Sequence, residues 1–80
     1  MDTNERFGFP SHATVAQIRQ QYPAGTRVRL IKMDDKQAPP VGTLGTVVCV
    51  DDAGSLCMQW DNGSSLSLLW GEDIFEKVSE

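Results

Sequence analysis

Short apolar runs with a period of two, each closed by a turn signal, govern what this chain can fold into. From Thr26 onward, apolar and polar residues alternate in "TRVRLIKM", "TLGTVVCV", "SLCMQW", "SLSLLW" and "IFEKV". This period is typical of strands with one buried face. Residues that favour turns separate the runs, in "DDKQAPPVG", "DDAG", "DNGS" and "GED". The pattern predicts five short strands joined mostly by tight turns.

The segment before the strands has a helical period instead. Val15, Ile18 and Tyr22 lie at positions i, i+3 and i+7, so they share one face of a helix. Ser11 or Thr14 can cap the first turn, because a side-chain oxygen accepts a hydrogen bond from an otherwise unpaired N–H. The proline after Tyr22 disfavours further helical geometry. We expect one short N-terminal α-helix that packs on the strands.

The predicted fold is mainly β, a small five-stranded SH3-like barrel with one short N-terminal α-helix. A chain of 80 residues with 40% hydrophobic and 22% charged residues suits one small globular domain. Closing the sheet removes edges that would otherwise pair with other chains. Phe7 and Phe9 are expected either to pack on the domain or to reach a partner. The predicted parts are a flexible N-terminal arm at 1–10 and a single SH3-like domain at 11–80, with the helix at about 12–22 and the barrel at about 26–79.

The hairpin around Gly63 is expected to fix the register of the third and fourth strands. A three-residue loop with Gly63 in the left-handed conformation is favoured over a two-residue turn. This loop is expected to set Trp60 opposite Leu66 and Met58 opposite Leu68, because a shift by one residue would turn every side chain to the other face.

The preceding hairpin is expected to set Cys49 opposite Cys57 on the outer face of the sheet, together with Val47. On the inner face Val48 is expected to pair with Met58, and Val50 with Leu56. Both cysteines are expected to be free thiols, since two cysteines are too few for a disulfide scaffold and lack metal-site spacing. The predicted core comprises Val28, Leu30, Val48, Val50, Leu56, Met58, Trp60, Leu66 and Leu68.

Composition narrows the function classes. Seven Lys and Arg against eleven Asp and Glu give a net charge of -4, which disfavours generic binding to a phosphate backbone. No run reaches the ~18 apolar residues of a membrane span, and the N-terminus lacks the apolar segment of a secretory signal. These features predict a cytoplasmic protein that does not contact a membrane.

Residues for catalysis or metal binding are scarce. His12 is the single histidine, so no site with two histidines can form, and no Cys–His or Ser–His–Asp arrangement is indicated. The carboxylates come in doublets at predicted turns, where Asp accepts hydrogen bonds from its own backbone. We expect no enzyme activity, no metal and no cofactor.

The candidate binding residues are basic or aromatic. Basic residues concentrate on and after the first predicted strand, where they would meet an anion or form a solvated face. Trp60 is in phase with the core, whereas Trp70 ends its run and is a candidate anchor of an interface. The candidate binding residues are Arg27, Arg29, Lys32, Lys36, Trp70 and Tyr22.

The segments "YPAGTRVRLIKMDD", "PPVGTLGTVVCVDDAGSL" and "QWDNGSSLSLLWGEDIFEKV" resemble an uncharacterised family of small bacterial and phage proteins, a domain of unknown function. The resemblance covers about 22–78 and implies an origin in phages or mobile elements. The family commonly has proline where this chain has Trp70, and a small residue at Cys49. The pattern G-x-x-G-x-V before a WDNG hairpin is also similar to SH3-like modules of translation and ubiquitin-ligase proteins, a likeness of fold that carries no function by itself.

Three hypotheses on function follow. The first is a small non-enzymatic module that binds a protein partner, with a homo-oligomer as a further option. The second, which rests on the resemblance, is an inhibitor of host defence encoded by a phage or mobile element, of an anti-CRISPR type or one that sequesters a signalling nucleotide. The third is an SH3-like module that binds nucleic acid, which the acidic composition disfavours.

Overall fold

A computed structural model describes residues 11–78 of the chain. One helix is followed by four strands, which form a single antiparallel sheet in the order β3-β2-β1-β4. The expectations for residues 1–10, including Phe7 and Phe9, lie outside the described residues. The elements are α1 (His12–Gln21), β1 (Arg27–Lys32), β2 (Leu44–Val50), β3 (Leu56–Trp60) and β4 (Ile74–Lys77).

The helix begins and ends near the predicted positions. The Ser11 hydroxyl accepts a hydrogen bond from the Thr14 N–H at 3.2 Å and so caps the first turn. At the other end the Tyr22 N–H donates to the Ile18 carbonyl, just before Pro23. Val15 and Ile18 are buried against the sheet, as the helical period predicts. The helix therefore covers part of the inner face of the sheet.

Strand β2 contains a bulge that the sequence pattern did not predict. Cys49 pairs with Cys57 as expected, but Val47 rather than Val48 pairs with Met58. Val47 is therefore buried, and Val48 is 52% exposed, which corrects the expected core. Gly45 and Val47, at odd positions of the chain, face inward, and so does Val50, which is at an even position. Both sets can be inward only if the strand takes up one extra residue between them.

The predicted fourth strand is reduced to one bridge, between Leu56 and Leu68. The loop after β3 does have three residues, with Gly63 at φ +95°, but the Trp60 N–H donates to the Ser64 carbonyl. The expected pairings of Trp60 with Leu66 and of Met58 with Leu68 are therefore wrong. The register is shifted by two residues, so Trp60 lies opposite Ser64 and Leu56 lies opposite Leu68. Leu68 is fully buried, whereas Leu66 is only half-buried.

Side chains explain why residues 64–67 leave the sheet. The Trp60 indole N–H donates to the Leu66 carbonyl at 2.8 Å, and the Ser64 hydroxyl accepts from the Leu66 N–H at 3.2 Å. The Asn62 side chain accepts from the Ser64 N–H at 3.0 Å. These local bonds replace those of a strand ladder. The expectation of a mainly β fold with one helix is confirmed, but the described residues form an open four-stranded sheet and not a closed five-stranded barrel.

The core lies between α1 and the inner face of the sheet. No helix within residues 11–78 has the length and apolar character needed to cross a membrane. The buried hydrophobic residues are Val15, Ile18, Val28, Leu30, Val47, Val50, Leu56, Met58, Trp60 and Leu68.

Candidate protein-binding surface

Three aromatic rings from distant parts of the chain meet beside β4, and we call Tyr22, Trp70 and Phe75 the aromatic cluster. The ring centroids of Tyr22 and Phe75 are 5.4 Å apart, and Trp70 lies 6.1 Å from each of them. All three pairs are edge-to-face, with interplanar angles of 65–68°, the geometry that ring quadrupoles favour. The cluster thus has a defined shape.

Three elements place these rings. Tyr22 follows the last turn of α1 and lies on the face that contacts the sheet. Phe75 is paired with the buried Leu30 across β1 and β4, so its ring lies on the inner face. Trp70 is carried by the turn that leads into β4, which is closed by hydrogen bonds from Glu72 and Asp73 N–H groups to the Leu69 carbonyl.

The aromatic cluster is partly open to solvent. Trp70 is 36% exposed, and Tyr22 and Phe75 are half-buried against the core. The Lys77 ammonium lies 4.9 Å from the centroid of the Tyr22 ring, within the range of a cation–π contact. The cluster therefore presents a large aromatic edge next to a positive charge.

A groove of about 900 Å³ borders the turn that carries Trp70, and we call it the acidic groove. One wall is the loop after β1, at 33–37, and the other is the segment at 63–73. Its apolar lining comes from Met33, Leu66 and Leu69, and its serines come from the segment that left the sheet. Its carboxylates are those of Asp34, Asp35, Glu72 and Asp73.

The carboxylates of the acidic groove shape their own loops. The Asp35 side chain accepts from the Gln37 N–H at 2.8 Å, and the Asp73 side chain accepts from the Leu69 N–H at 2.8 Å. These bonds confirm the predicted turn roles of both residues. Within residues 11–78, no Lys or Arg forms an ion pair with the four carboxylates. The described residues that line the groove therefore carry four carboxylates and no basic side chain, a composition suited to a cationic group.

Arg27, one of the predicted anion-binding residues, forms hydrogen bonds with side chains of its own domain. Its guanidinium donates to both carboxylate oxygens of Asp61, at 2.9 and 2.7 Å, and to the Thr46 hydroxyl at 2.9 Å. These hydrogen bonds hold the pKa of Asp61 below its ordinary value of 3.8. The arrangement ties β1 to the start of the loop after β3.

The other predicted basic residues do not join Arg27 in one site. Arg29 forms an ion pair with Glu76 across β1 and β4. Lys32 is exposed at the end of β1, and Lys36 is exposed in the following loop. Neither lysine forms an ion pair among the described residues.

Cys49 and Cys57 face each other across β2 and β3, as predicted, and both are free. Their hydrogen bond, with further contributions from burial and from the Cys49 and Asp51 charges, raises the pKa of Cys57 to about 11. A thiol with such a pKa stays protonated at neutral pH and is a poor nucleophile. The pair lies on the outer face, far from the aromatic cluster in the strand order.

The structure brings together two of the six predicted binding residues, Tyr22 and Trp70. The sequence reasoning missed Phe75 and Lys77, although "IFEKV" places these two on one face of the last strand. The sequence reasoning also assigned the carboxylates only to turns. A groove formed by loops that are far apart in the chain produces no pattern within either loop.

Comparison with known proteins gave one family match. A family model described as a domain of unknown function (DUF4314) matches residues 11–78. Neither the curated proteins nor the solved structures gave a match.

Proposed function

The chain belongs to the DUF4314 family, and for this member we propose a non-enzymatic module that binds a protein partner through the aromatic cluster. The observation that carries the proposal is the edge-to-face packing of Tyr22, Trp70 and Phe75 at a partly exposed position. Rigid aromatic side chains bury a large area at a small cost in conformational entropy, which makes them effective anchors of interfaces.

The acidic groove adds to this surface. Trp70 and the groove residues Leu69, Glu72 and Asp73 lie on one turn, so a partner that covers Trp70 reaches the groove as well. The chemistry of both parts favours a partner segment that carries apolar side chains next to Lys or Arg. Such a segment gains ring contacts on one side and opposite charges on the other.

Anionic ligands are less well supported. The two arginines of the predicted basic patch bind Asp61 and Glu76, and the groove carries carboxylates without cationic partners among the described residues. Phosphate groups require the opposite charge. We therefore rank a nucleic acid or a sequestered nucleotide below a protein partner, and an inhibitor of host defence fits this proposal only if it acts by binding a protein.

The architecture and compartment are part of the proposal. The order β3-β2-β1-β4, with the Leu56–Leu68 bridge next to β3, supports an SH3-like arrangement in which the strand that would extend the sheet is rudimentary. Two free thiols that face each other suit a reducing compartment such as the cytoplasm.

Replacement of Trp70 tests the proposed function. The whole chain is immobilised as wild type, as Trp70→Ala and as Val41→Ala, and each is exposed to a lysate of the organism that encodes it. Val41 is 72% exposed and lies outside the cluster and the groove, so it controls for the loss of an exposed apolar side chain. Circular dichroism verifies that all three variants are folded.

We expect at least one protein to be retained by the wild type and by Val41→Ala, and to be reduced about tenfold or more on Trp70→Ala, as for an aromatic hot spot. The dissociation constant of that protein is then measured with Glu72→Lys, which should weaken binding if the partner is cationic. Equal retention by wild type and Trp70→Ala would contradict the proposal.

A further inference from the structure

Strand β4 is an open edge of the sheet. In the order β3-β2-β1-β4, the two edge strands are β3 and β4. The segment after Gly63 runs along β3, where it bonds to the backbone of Leu56 and Trp60. No described segment pairs with the outer side of β4. An edge of this kind can pair with another strand.

The hydrogen-bonding groups of this edge can be assigned to residues. The Val78 N–H donates to the Arg27 carbonyl, and Arg29 is paired with Glu76. Because backbone groups alternate along an antiparallel strand, those of Glu76 and Val78 point toward β1 and those of Phe75 and Lys77 point outward. Phe75 and Lys77 therefore offer two N–H donors and two carbonyl acceptors to an added strand.

The side chains around this edge do not block it. Charged residues often protect edge strands, but here Glu76 is engaged by Arg29, and Lys77 lies over the Tyr22 ring. Ile74, at the start of the strand, is 51% exposed. The edge thus combines unpaired backbone groups with exposed apolar surface.

Charge decides which strand fits this edge. Four antiparallel two-fold registers exist for β4 against itself, one centred on each residue of the strand. The register centred on Ile74 sets Glu72 opposite Glu76, a second sets Glu76 opposite Glu76, and a third sets Lys77 opposite Lys77. All three oppose like charges, which destabilises a strand pair. The fourth sets Phe75 opposite Phe75 and brings Lys77 of each copy opposite Asp73 of the other. This register is self-complementary. It uses both outward-pointing backbone groups of Phe75 and the Lys77 N–H, which donates to the Asp73 carbonyl of the other copy, while the Asp73 N–H stays bonded to the Leu69 carbonyl of its own chain.

We propose that two copies of this chain pair antiparallel through the open edges of β4, with the Phe75 residues facing each other at the two-fold axis. The interface is isologous, so each contact occurs twice. It sets the two aromatic clusters side by side and joins two four-stranded sheets into one of eight strands. The proposal does not depend on which protein the aromatic cluster binds.

A charge reversal tests the register. Sedimentation of the full-length chain is followed from micromolar to near-millimolar concentrations, and a monomer–dimer equilibrium is expected. Lys77→Glu places two carboxylates opposite each other at both ends of the interface and should raise the dimer dissociation constant about tenfold or more. Lys36→Glu changes the net charge equally at a position that does not pair in this register and should leave the constant unchanged.

Hydrogen exchange identifies the edge that pairs. The Phe75 and Lys77 amides should exchange more slowly as the concentration rises, whereas those of Glu76 and Val78, which point toward β1, should not change. A second variant, Lys77→Pro, removes an outward N–H without breaking a bond to β1 and should also favour the monomer.

Three outcomes overturn the proposal: a monomer at every concentration, a dimer that leaves the Phe75 and Lys77 amides unprotected, or equal dimerisation of Lys77→Glu and Lys36→Glu. A monomer would leave the protein-binding function intact, because the Trp70→Ala comparison is made independently.

Discussion

At the scale of single residues, Gly45 shows how tightly the inner face of the sheet is packed. It is paired with Trp60 across β2 and β3, and a Cβ atom built on Gly45 would lie 2.5 Å from the Cε3 atom of the Trp60 ring. Trp60 is 2% exposed and its indole N–H is bound to the Leu66 carbonyl. Burial and this hydrogen bond therefore hold the ring in place.

We expect Gly45→Ala to lower the free energy of unfolding by roughly 1–3 kcal/mol, as overpacking does, measured by denaturant titration. The control is the same change in a Trp60→Phe background, where the smaller ring leaves room for the new methyl group. There Gly45→Ala should cost clearly less, because the two residues are coupled. An equal loss in both backgrounds would show that contact with the Trp60 ring is not the cause.

At the scale of elements, the segment from Ser64 to Leu68 decides how far the sheet extends. Leu68 is fully buried and bonded to Leu56 through both backbone groups, whereas Leu66 is half-buried and its backbone is held by side chains. We expect Leu68→Ala to cost about 2–5 kcal/mol of stability, since it leaves a cavity. Leu66→Ala should cost clearly less in the same denaturant titration. Equal losses would indicate that the segment pairs as a full strand.

This element also marks the limit of what the sequence can predict. The period of two predicts the four strands of the sheet and the Cys49–Cys57 pairing. The same period is present in "SLSLLW", but there the Ser64 hydroxyl and the Trp60 indole form hydrogen bonds with the backbone of Leu66. These bonds replace those of a strand ladder, and the alternation of apolar and polar residues does not reveal them. The bulge at Val48 was missed because a strict alternation through Val48 and Val50 was assumed, whereas Gly45 and Val47 face inward before the bulge and Val50 faces inward after it.

The candidate site was predictable only in part. Trp70 and Tyr22 were selected as large aromatic residues near the ends of their elements, and the structure brings them together. Phe75 joins them because β4 pairs with β1 rather than with its neighbour in sequence. Pairings between elements so far apart in the chain are set by the packing of the whole domain.

At the scale of the whole molecule, the charges are arranged to leave an acidic surface. The net charge is -4, and Arg19, Arg27 and Arg29 each form an ion pair with a carboxylate within the domain. These pairs connect α1 to the loop after β2, β1 to the loop after β3, and β1 to β4. The arginines therefore connect elements of the fold and are not presented together as a patch for a phosphate backbone.

This arrangement predicts that the wild-type chain does not bind nucleic acid. Fluorescence anisotropy with labelled single-stranded DNA and RNA should show no salt-dependent binding at low ionic strength. Binding of this kind requires several cations that together neutralise phosphates, and Lys32 and Lys36 are too few to do so on a chain with a net charge of -4. The double variant Asp61→Asn and Glu76→Gln removes the Asp61 and Glu76 carboxylates from Arg27 and Arg29 and changes the net charge from -4 to -2, since two carboxylates become amides. That variant should acquire weak binding that disappears as salt is added. Salt-dependent binding by the wild type would show that its arginines exchange their carboxylate partners for phosphates, and it would place nucleic acid ahead of protein as the ligand.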